Sequence, residues 1–345
     1  MSGFAVGGPQ GVLTYSKPLI LTDEVFQGAG HRTILDFSHV STLVDDAVVV
    51  LRGGAQLRDC TIIGPGGNHG VVRVVDGEGA LLSGLVVRGG RHSCIAVRGG
   101  SGVTVERCRV HQPDGWAGYG YGLALEGTED ATVIGGRYHA RRHGIAVGND
   151  PRTGVFSSSC LITGWAHISS EEIYAADLHQ DTRACTYERC RIDGGMVIGG
   201  EGHTVSHCHV SAARTGECIL VDAASKLDTD IIGNRLTGAA GTRALIFFDQ
   251  NEFAPTGGQL RIEGNRAAAT AGCPMYLRTR YAGLSAVLEG NILSSGDSTP
   301  MRVRGWGSSQ WDRIDRSRNF YDVAPSVSGA VIDNPSGEQI TRRSA

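Results

Sequence analysis

Short apolar runs recur along the chain, and one phrase returns with them. Two or three alternating apolar positions are followed by a polar turn, then Cys, Gly or Asn, then another short apolar run. The phrase stands as Val103-Thr104-Val105-Glu106-Arg107-Cys108-Arg109-Val110, as Tyr187-Glu188-Arg189-Cys190-Arg191-Ile192 and as Leu288-Glu289-Gly290-Asn291-Ile292-Leu293. Its marker falls at Cys60, Gly84, Cys108, Gly136, Cys160, Cys190, Cys208, Asn234, Asn265, Asn291 and Asn319, at intervals of 18 to 31 residues averaging near 26. A further strand-like run precedes each marker, such as Cys94-Ile95-Ala96-Val97 or Gly144-Ile145-Ala146-Val147. Runs this short and β-branched, bounded by glycine and polar turns, are strands, and no stretch sustains a helical period. A repeat of this length with two or three strands is one coil of a solenoid, which buries an apolar face only by stacking on its neighbours. The leucine spine of leucine-rich repeats is missing.

Composition narrows this picture. Glycine, at 51 of 345 residues, is about twice its usual share, while proline numbers only 10. A hydrophobic content of 41% and a charged content of 19% exclude a disordered chain. The net charge of −3 gives no global attraction for nucleic acid or an anionic membrane, and no apolar run is long enough to span one. Neither partner is expected. Of 32 basic residues only Lys17 and Lys226 are lysines.

Five of the nine cysteines (Cys60, Cys108, Cys160, Cys190 and Cys208) fall at the marker position, which asparagine takes over in the last coils. Stacked at the strand spacing of about 4.8 Å, such positions form an inward ladder of thiols and then of amides. This reading accounts for the cysteines without a metal or redox site, and no metal or cofactor is expected.

On this repeat the chain resembles the right-handed parallel β-helices of the pectate-lyase-like superfamily. The opening Gly28-Ala29-Gly30-His31-Arg32-Thr33-Ile34-Leu35-Asp36, and the central Arg142-His143-Gly144-Ile145 and Asp177-Leu178-His179-Gln180-Asp181, look most like phage tail and tailspike depolymerases. The fold expected is all-β, a single-stranded right-handed parallel β-helix of about eleven coils. Residues 1–30 would form an N-terminal cap, 31–320 the β-helix and 321–345 an exit strand or tail. The Asp-Pro-His sequence of alginate epimerases is not matched, since Asp150-Pro151-Arg152 stands in its place.

Function in a solenoid sits on a lateral groove and on the loops that interrupt its coils. The first of the long intervals, the one ending at Gly136, carries in His111 to Gly122 the residues Trp116, Tyr119 and Tyr121, whose faces suit sugar rings. The next coil carries His139, Arg141, Arg142 and His143, and the one after it Asp177, His179 and Asp181. Aligned by strands, these residues and Glu126 gather on one side of the central coils. Trp116, Tyr119, Tyr121, His139, Arg141 and Arg142 are the expected substrate contacts. Glu126, His143, Asp177, His179 and Asp181 are the expected catalytic groups. A glycoside hydrolase needs two carboxylates, for which Glu126, Asp177 and Asp181 are candidates. A lyase needs a base and cations that neutralise a uronate, for which His143 or His179 with Arg141 and Arg142 would serve.

The expected function is a phage-tail-type protein that cleaves a bacterial surface or cell-wall polysaccharide, hydrolysis being favoured over β-elimination. A noncatalytic spike or glycan-binding module and a secreted bacterial polysaccharide lyase are the alternatives. Thiols at a ladder position, and no basic or apolar leader in Met1 to Gly11, suit assembly in the cytoplasm without a signal peptide and a final place in the virion tail or outside the cell. The resemblance implies a homotrimer, with Trp306, Trp311, Phe320 and Tyr321 as possible contacts.

Overall fold

The computed structural model describes residues 8–112, 114–115, 119–172, 174–212, 216–222, 226–238, 244–249, 257–270, 273–279, 283–295, 301–305 and 313–323. The chain divides into two compact units, one ending at Glu172 and one beginning at residue 173. Each is a right-handed parallel β-helix. Every coil contributes one strand to each of three parallel sheets, in the order first, second, third.

In the N-terminal unit the first sheet runs through Leu19–Thr22, Val49–Arg52, Val72–Glu78, Ser93–Ser101, Tyr121–Glu126 and His143–Gly148. Its register stacks Val72, Ile95, Leu123 and Ile145 in one column and Val74, Val97, Leu125 and Val147 in the next, all buried. Alternation sends Arg98 and Glu126 to the other face. In the C-terminal unit the first sheet includes Ala176–Leu178, Met196–Ile198, Ile219–Val221, Ala244–Asp249 and Cys273–Thr279. Met196, Ile219, Ile246 and Met275 form its buried column. Each such side chain contributes about 1.5–3 kcal/mol of burial, repeated coil after coil.

The ladder lies at the turn between the second and third sheets. The residue before it takes a left-handed conformation, as Asp59, Arg107, Arg189, His207 and Gly233 do. In the C-terminal unit Cys190, Cys208, Asn234, Asn265, Asn291 and Asn319 follow one another there. The asparagine amides join end to end: Asn234 Nδ2 donates to Asn265 Oδ1 at 3.0 Å, Asn265 Nδ2 to Asn291 Oδ1 at 3.0 Å, and Asn291 Nδ2 to Asn319 Oδ1 at 2.9 Å. In the N-terminal unit the position holds Cys60, Leu85, Cys108, Gly136 and Ala166.

Two sequence expectations are corrected here. Gly84 is the left-handed turn residue and Leu85 the ladder residue. Cys160 sits one turn earlier, before the second-sheet strand Leu161–Thr163, at the level of Val103 and Ala131. A buried thiol serves at either turn, so the two placements look alike in sequence. All nine cysteines are buried thiols.

Candidate functional site

Each unit presents polar chemistry on the outward face of its first sheet, and the two faces differ.

In the N-terminal unit the strand register brings Arg98 beside Glu126 in the next coil. Arg98 Nε donates to Glu126 Oε2 at 2.8 Å, with side chains only 7% and 11% exposed, and lies 3.8 Å from Asp150 Oδ1. Asp150 belongs to the connection that follows His143–Gly148. Its carboxylate is gripped by Arg152 through Nη2 at 2.9 Å, and it accepts the Arg152 backbone N–H at 2.8 Å. Burial alone would raise its pKa; the hydrogen bonds and charge of Arg152 outweigh that and hold it below the usual carboxylate range. Arg73 is 1% exposed beneath the turn that joins Val44 to Ala47, where it donates to the Asp45 carbonyl at 2.7 Å and meets Asp46 at 3.5 Å. Burial and the neighbouring Arg98 lower its affinity for a proton.

Aromatic rings stand beside these charges. His92 stacks on Tyr119 at 4.3 Å and meets Tyr121 edge-on at 6.2 Å. Burial pushes His92 towards its neutral form; Arg73 and Arg98 add to this, and Glu126 opposes it. Tyr121 stacks on His143 at 5.6 Å, and the Arg142 guanidinium lies over the Tyr121 ring with Nη1 3.2 Å from its hydroxyl. His143, only 2% exposed, supports Tyr121 from below. Arg141 forms an ion pair with Glu172 and donates to the Gly115 carbonyl at 2.7 Å. His139 stands on another sheet, the third, where it stacks on His111. The turn at Arg141 and Arg142 separates it from His143. Trp116 lies outside the described residues.

In the C-terminal unit Asp177 heads the outward column of the first sheet, followed by Val197, Leu220, Phe247 and Tyr276. His179 Nε2 is 3.0 Å from Asp177 Oδ2, so two of the expected catalytic groups are in contact. Asp181 is exposed in the turn that follows. At the other end of the strands Tyr174 donates its hydroxyl to Glu217 Oε2 at 2.5 Å. Burial and Glu217 together raise the Tyr174 pKa. Gly195 lies between these partners in a left-handed conformation; a Cβ there would sit 2.4 Å from the Glu217 carbonyl oxygen, so only glycine lets the coils meet. Phe247 and Tyr276 stack at 5.2 Å, and Arg278 lies over Tyr276. The face is thus an apolar and aromatic strip with a carboxylate–imidazole pair at its head and a carboxylate–phenol pair on its flank.

Sequence reasoning missed Arg73, Arg98, Tyr174 and Glu217. Arg73 and Arg98 are charges at alternate positions within apolar strands, and Glu217 directly precedes the run Cys218-Ile219-Leu220-Val221, as His92 and Tyr121 precede or open theirs. Among the described residues no group of three His, Cys, Asp or Glu side chains is placed to hold a metal ion.

Comparison with known proteins gives one sequence family and several folds. The profile of the family "Gp49, pectin lyase-like" matches residues 88–273. No curated protein matches the chain by sequence. Among solved structures, the chain is similar to the tailspike gp61 of Pseudomonas phage phi297, at 14% identity and a TM-score of 0.65, covering 87% of this chain and 71% of that one. It is similar to the Gp54 tailspike of Acinetobacter baumannii bacteriophage AP22, solved with capsular saccharide, at 13% identity and a TM-score of 0.56. That match covers 81% of this chain and 48% of the tailspike. A periplasmic alginate epimerase follows at 11% identity and a TM-score of 0.51, covering 92% and 79%. Identities this low speak for the fold.

Proposed function

The chain belongs to the Gp49, pectin lyase-like family, and from that premise we propose that it is a phage-tail protein that cleaves a bacterial surface polysaccharide by glycoside hydrolysis at the outward face of its first sheet. The observation that carries this reading is the Asp177–His179 pair at the head of the strip Val197, Leu220, Phe247 and Tyr276. Aromatic and apolar faces take the faces of sugar rings, and a carboxylate set among them has work to do on a glycosidic bond.

Asp177 is a better catalytic carboxylate than Glu126. Its partner is an imidazole, which can release or take a proton, whereas Glu126 faces the guanidinium of Arg98, which cannot. Glu217, already hydrogen-bonded to Tyr174 on the same flank, is the second carboxyl group. Asp177, which can exchange a proton with His179, acts as acid, and Glu217, whose carboxylate accepts the Tyr174 hydroxyl, as base or nucleophile. The N-terminal unit offers a sugar-binding surface of its own at Tyr119, Tyr121 and Arg142, where His143 positions Tyr121.

Hydrolysis is favoured over β-elimination by the state of the cations. Elimination needs cations free to neutralise a uronate. On the first-sheet face Arg73, Arg98, Arg141 and Arg152 are each already matched to a carboxylate, while Arg142 and Arg278 lie over tyrosine rings. Incubation with a panel of capsular and cell-wall polysaccharides should release new reducing ends without the ultraviolet absorbance of an unsaturated uronate. Unsaturated products would replace hydrolysis with elimination, and no products from any substrate would leave a binding module. In the same reading the protein assembles as a homotrimer, which light scattering reads directly as three chain masses. Trp306 and Trp311, the expected contacts, lie outside the described residues, as do the side chains of Phe320 and Tyr321.

A further inference from the structure

The outward face of the third sheet carries cations of a different kind. In the N-terminal unit the register stacks Val86, Arg109, Arg137 and His167 in one column. Two residues along, and therefore facing the same way, it stacks Ile63, Arg88, His111, His139 and Ser169. Arg88, Arg109, His111 and Arg137 are exposed. The His111 and His139 rings stack at 5.2 Å and 15°. His31, Arg88, Arg109, His111, Arg137 and His139 line one open groove.

Like charges on facing positions of neighbouring strands, about 4.8 Å apart, repel one another. On the first sheet that cost is met by carboxylates. Here, among the described residues, none of Arg88, Arg109 and Arg137 forms an ion pair. The carboxylates near these columns are Asp36, beside Ile63, and Glu171, 3.4 Å from His139 Nε2. The C-terminal unit repeats the pattern independently. The residue after its ladder is Arg191, His209, Arg235 and Arg266 in four successive coils, all exposed; Arg191 pairs with Asp193 at 3.0 Å, whereas His209, Arg235 and Arg266 form no ion pair among the described residues. The position thus carries a cation in three successive coils of the N-terminal unit and four of the C-terminal one, and among the described residues Arg109, Arg137, His209, Arg235 and Arg266 have no carboxylate partner there.

We propose that in each unit, taken by itself, this column is a second binding face, separate from the first-sheet groove, for a carboxylated polysaccharide in extended conformation. A straight row of cations, about one per coil, fits a chain that repeats one negative charge per sugar. Guanidinium groups fork onto carboxylates with two parallel hydrogen bonds. Single-stranded nucleic acid fits less well. Between Val86 and His167, and between Arg191 and Arg266, no Phe, Tyr or Trp stands in these columns to stack a base, and the chain carries a net charge of −3. The inference does not rest on cleavage, because it concerns another face.

The test uses the full chain and fluorescent oligogalacturonate, with dextran oligosaccharide and single-stranded DNA of matched length as competitors. Anisotropy should show oligogalacturonate binding that weakens with salt. The double variant Arg109→Gln/Arg137→Gln should bind about tenfold more weakly or worse, with a shallower salt dependence. Arg235→Gln/Arg266→Gln should weaken binding in the same sense, and Arg261→Gln, at an exposed second-sheet arginine paired with Glu263, should bind as wild type. Melting curves of both double variants should match wild type or lie above it, since repulsion is relieved. The proposal is overturned if wild type does not bind, if the folded double variants bind as wild type does, or if dextran or DNA competes as well as the uronate.

Discussion

The Asn265 side chain takes part in four hydrogen bonds that tie its coil to the two beside it. Its Oδ1 accepts the Asn234 backbone N–H at 2.9 Å and the Asn234 amide at 3.0 Å, and its Nδ2 reaches the Ile231 carbonyl at 2.8 Å and Asn291 Oδ1 at 3.0 Å. Removing a buried partner costs more than the bond itself, because the groups left behind remain desolvated. Asn265→Ala should lower stability by about 2–4 kcal/mol, read from urea unfolding. A loss under 1 kcal/mol would mean that water replaces the amide. Asp150 offers a pH reading at the same scale. Its carboxyl is held low in the folded chain by Arg152, so the stability it contributes is present above the unfolded carboxylate range and is lost as pH falls through its lowered folded value. Wild type should therefore resist acid until below about pH 4, and Arg152→Gln should begin to lose stability at higher pH in thermal melts. Identical acid profiles would remove Arg152 as the cause.

At the scale of elements, the ladder was legible in the sequence because one turn geometry demands the same kind of residue in every coil. Cys108, Cys190, Cys208 and the four asparagines stand where the repeat puts them. Cys160 did not, because apolar-Cys-apolar reads alike at both short turns of a coil, and only backbone pairing tells them apart. The candidate site was legible in part for the same reason. Asp177 and His179 flank a single buried residue and meet. His139 and His143, four residues apart, end on different sheets because the corner between them falls at Arg141 and Arg142. Glu217 and Tyr174 are far apart in sequence and meet only through coil stacking. The thiols give an element-scale test. Burial pushes Cys60, Cys94, Cys108 and Cys218 up to about 12. At pH 8 these four should stay silent to a thiol reagent in the native protein and react on denaturation, when all nine cysteines titrate. Fast native labelling of any of the four would contradict their place in the core.

For the whole molecule, a repetitive scaffold leaves the inside of each coil to packing and the outside to function. The two outward faces divide the chemistry. In each unit the first sheet holds carboxylates beside aromatic rings, and the third holds cations in rows with few carboxylates among them. The same register that builds the core sets both, since outward groups on stacked strands are held in fixed geometry and their exchange disturbs little of the interior. The most direct measurement of the central claim is the rate at which Asp177→Asn releases reducing ends from a polysaccharide that wild type cleaves, taken with its melting curve. The account predicts a fall of about 100-fold or more at an unchanged melting temperature, with Glu217→Gln behaving alike and Asp181→Asn close to wild type. Wild-type rates in Asp177→Asn, or a loss confined to Asp181→Asn, would contradict it.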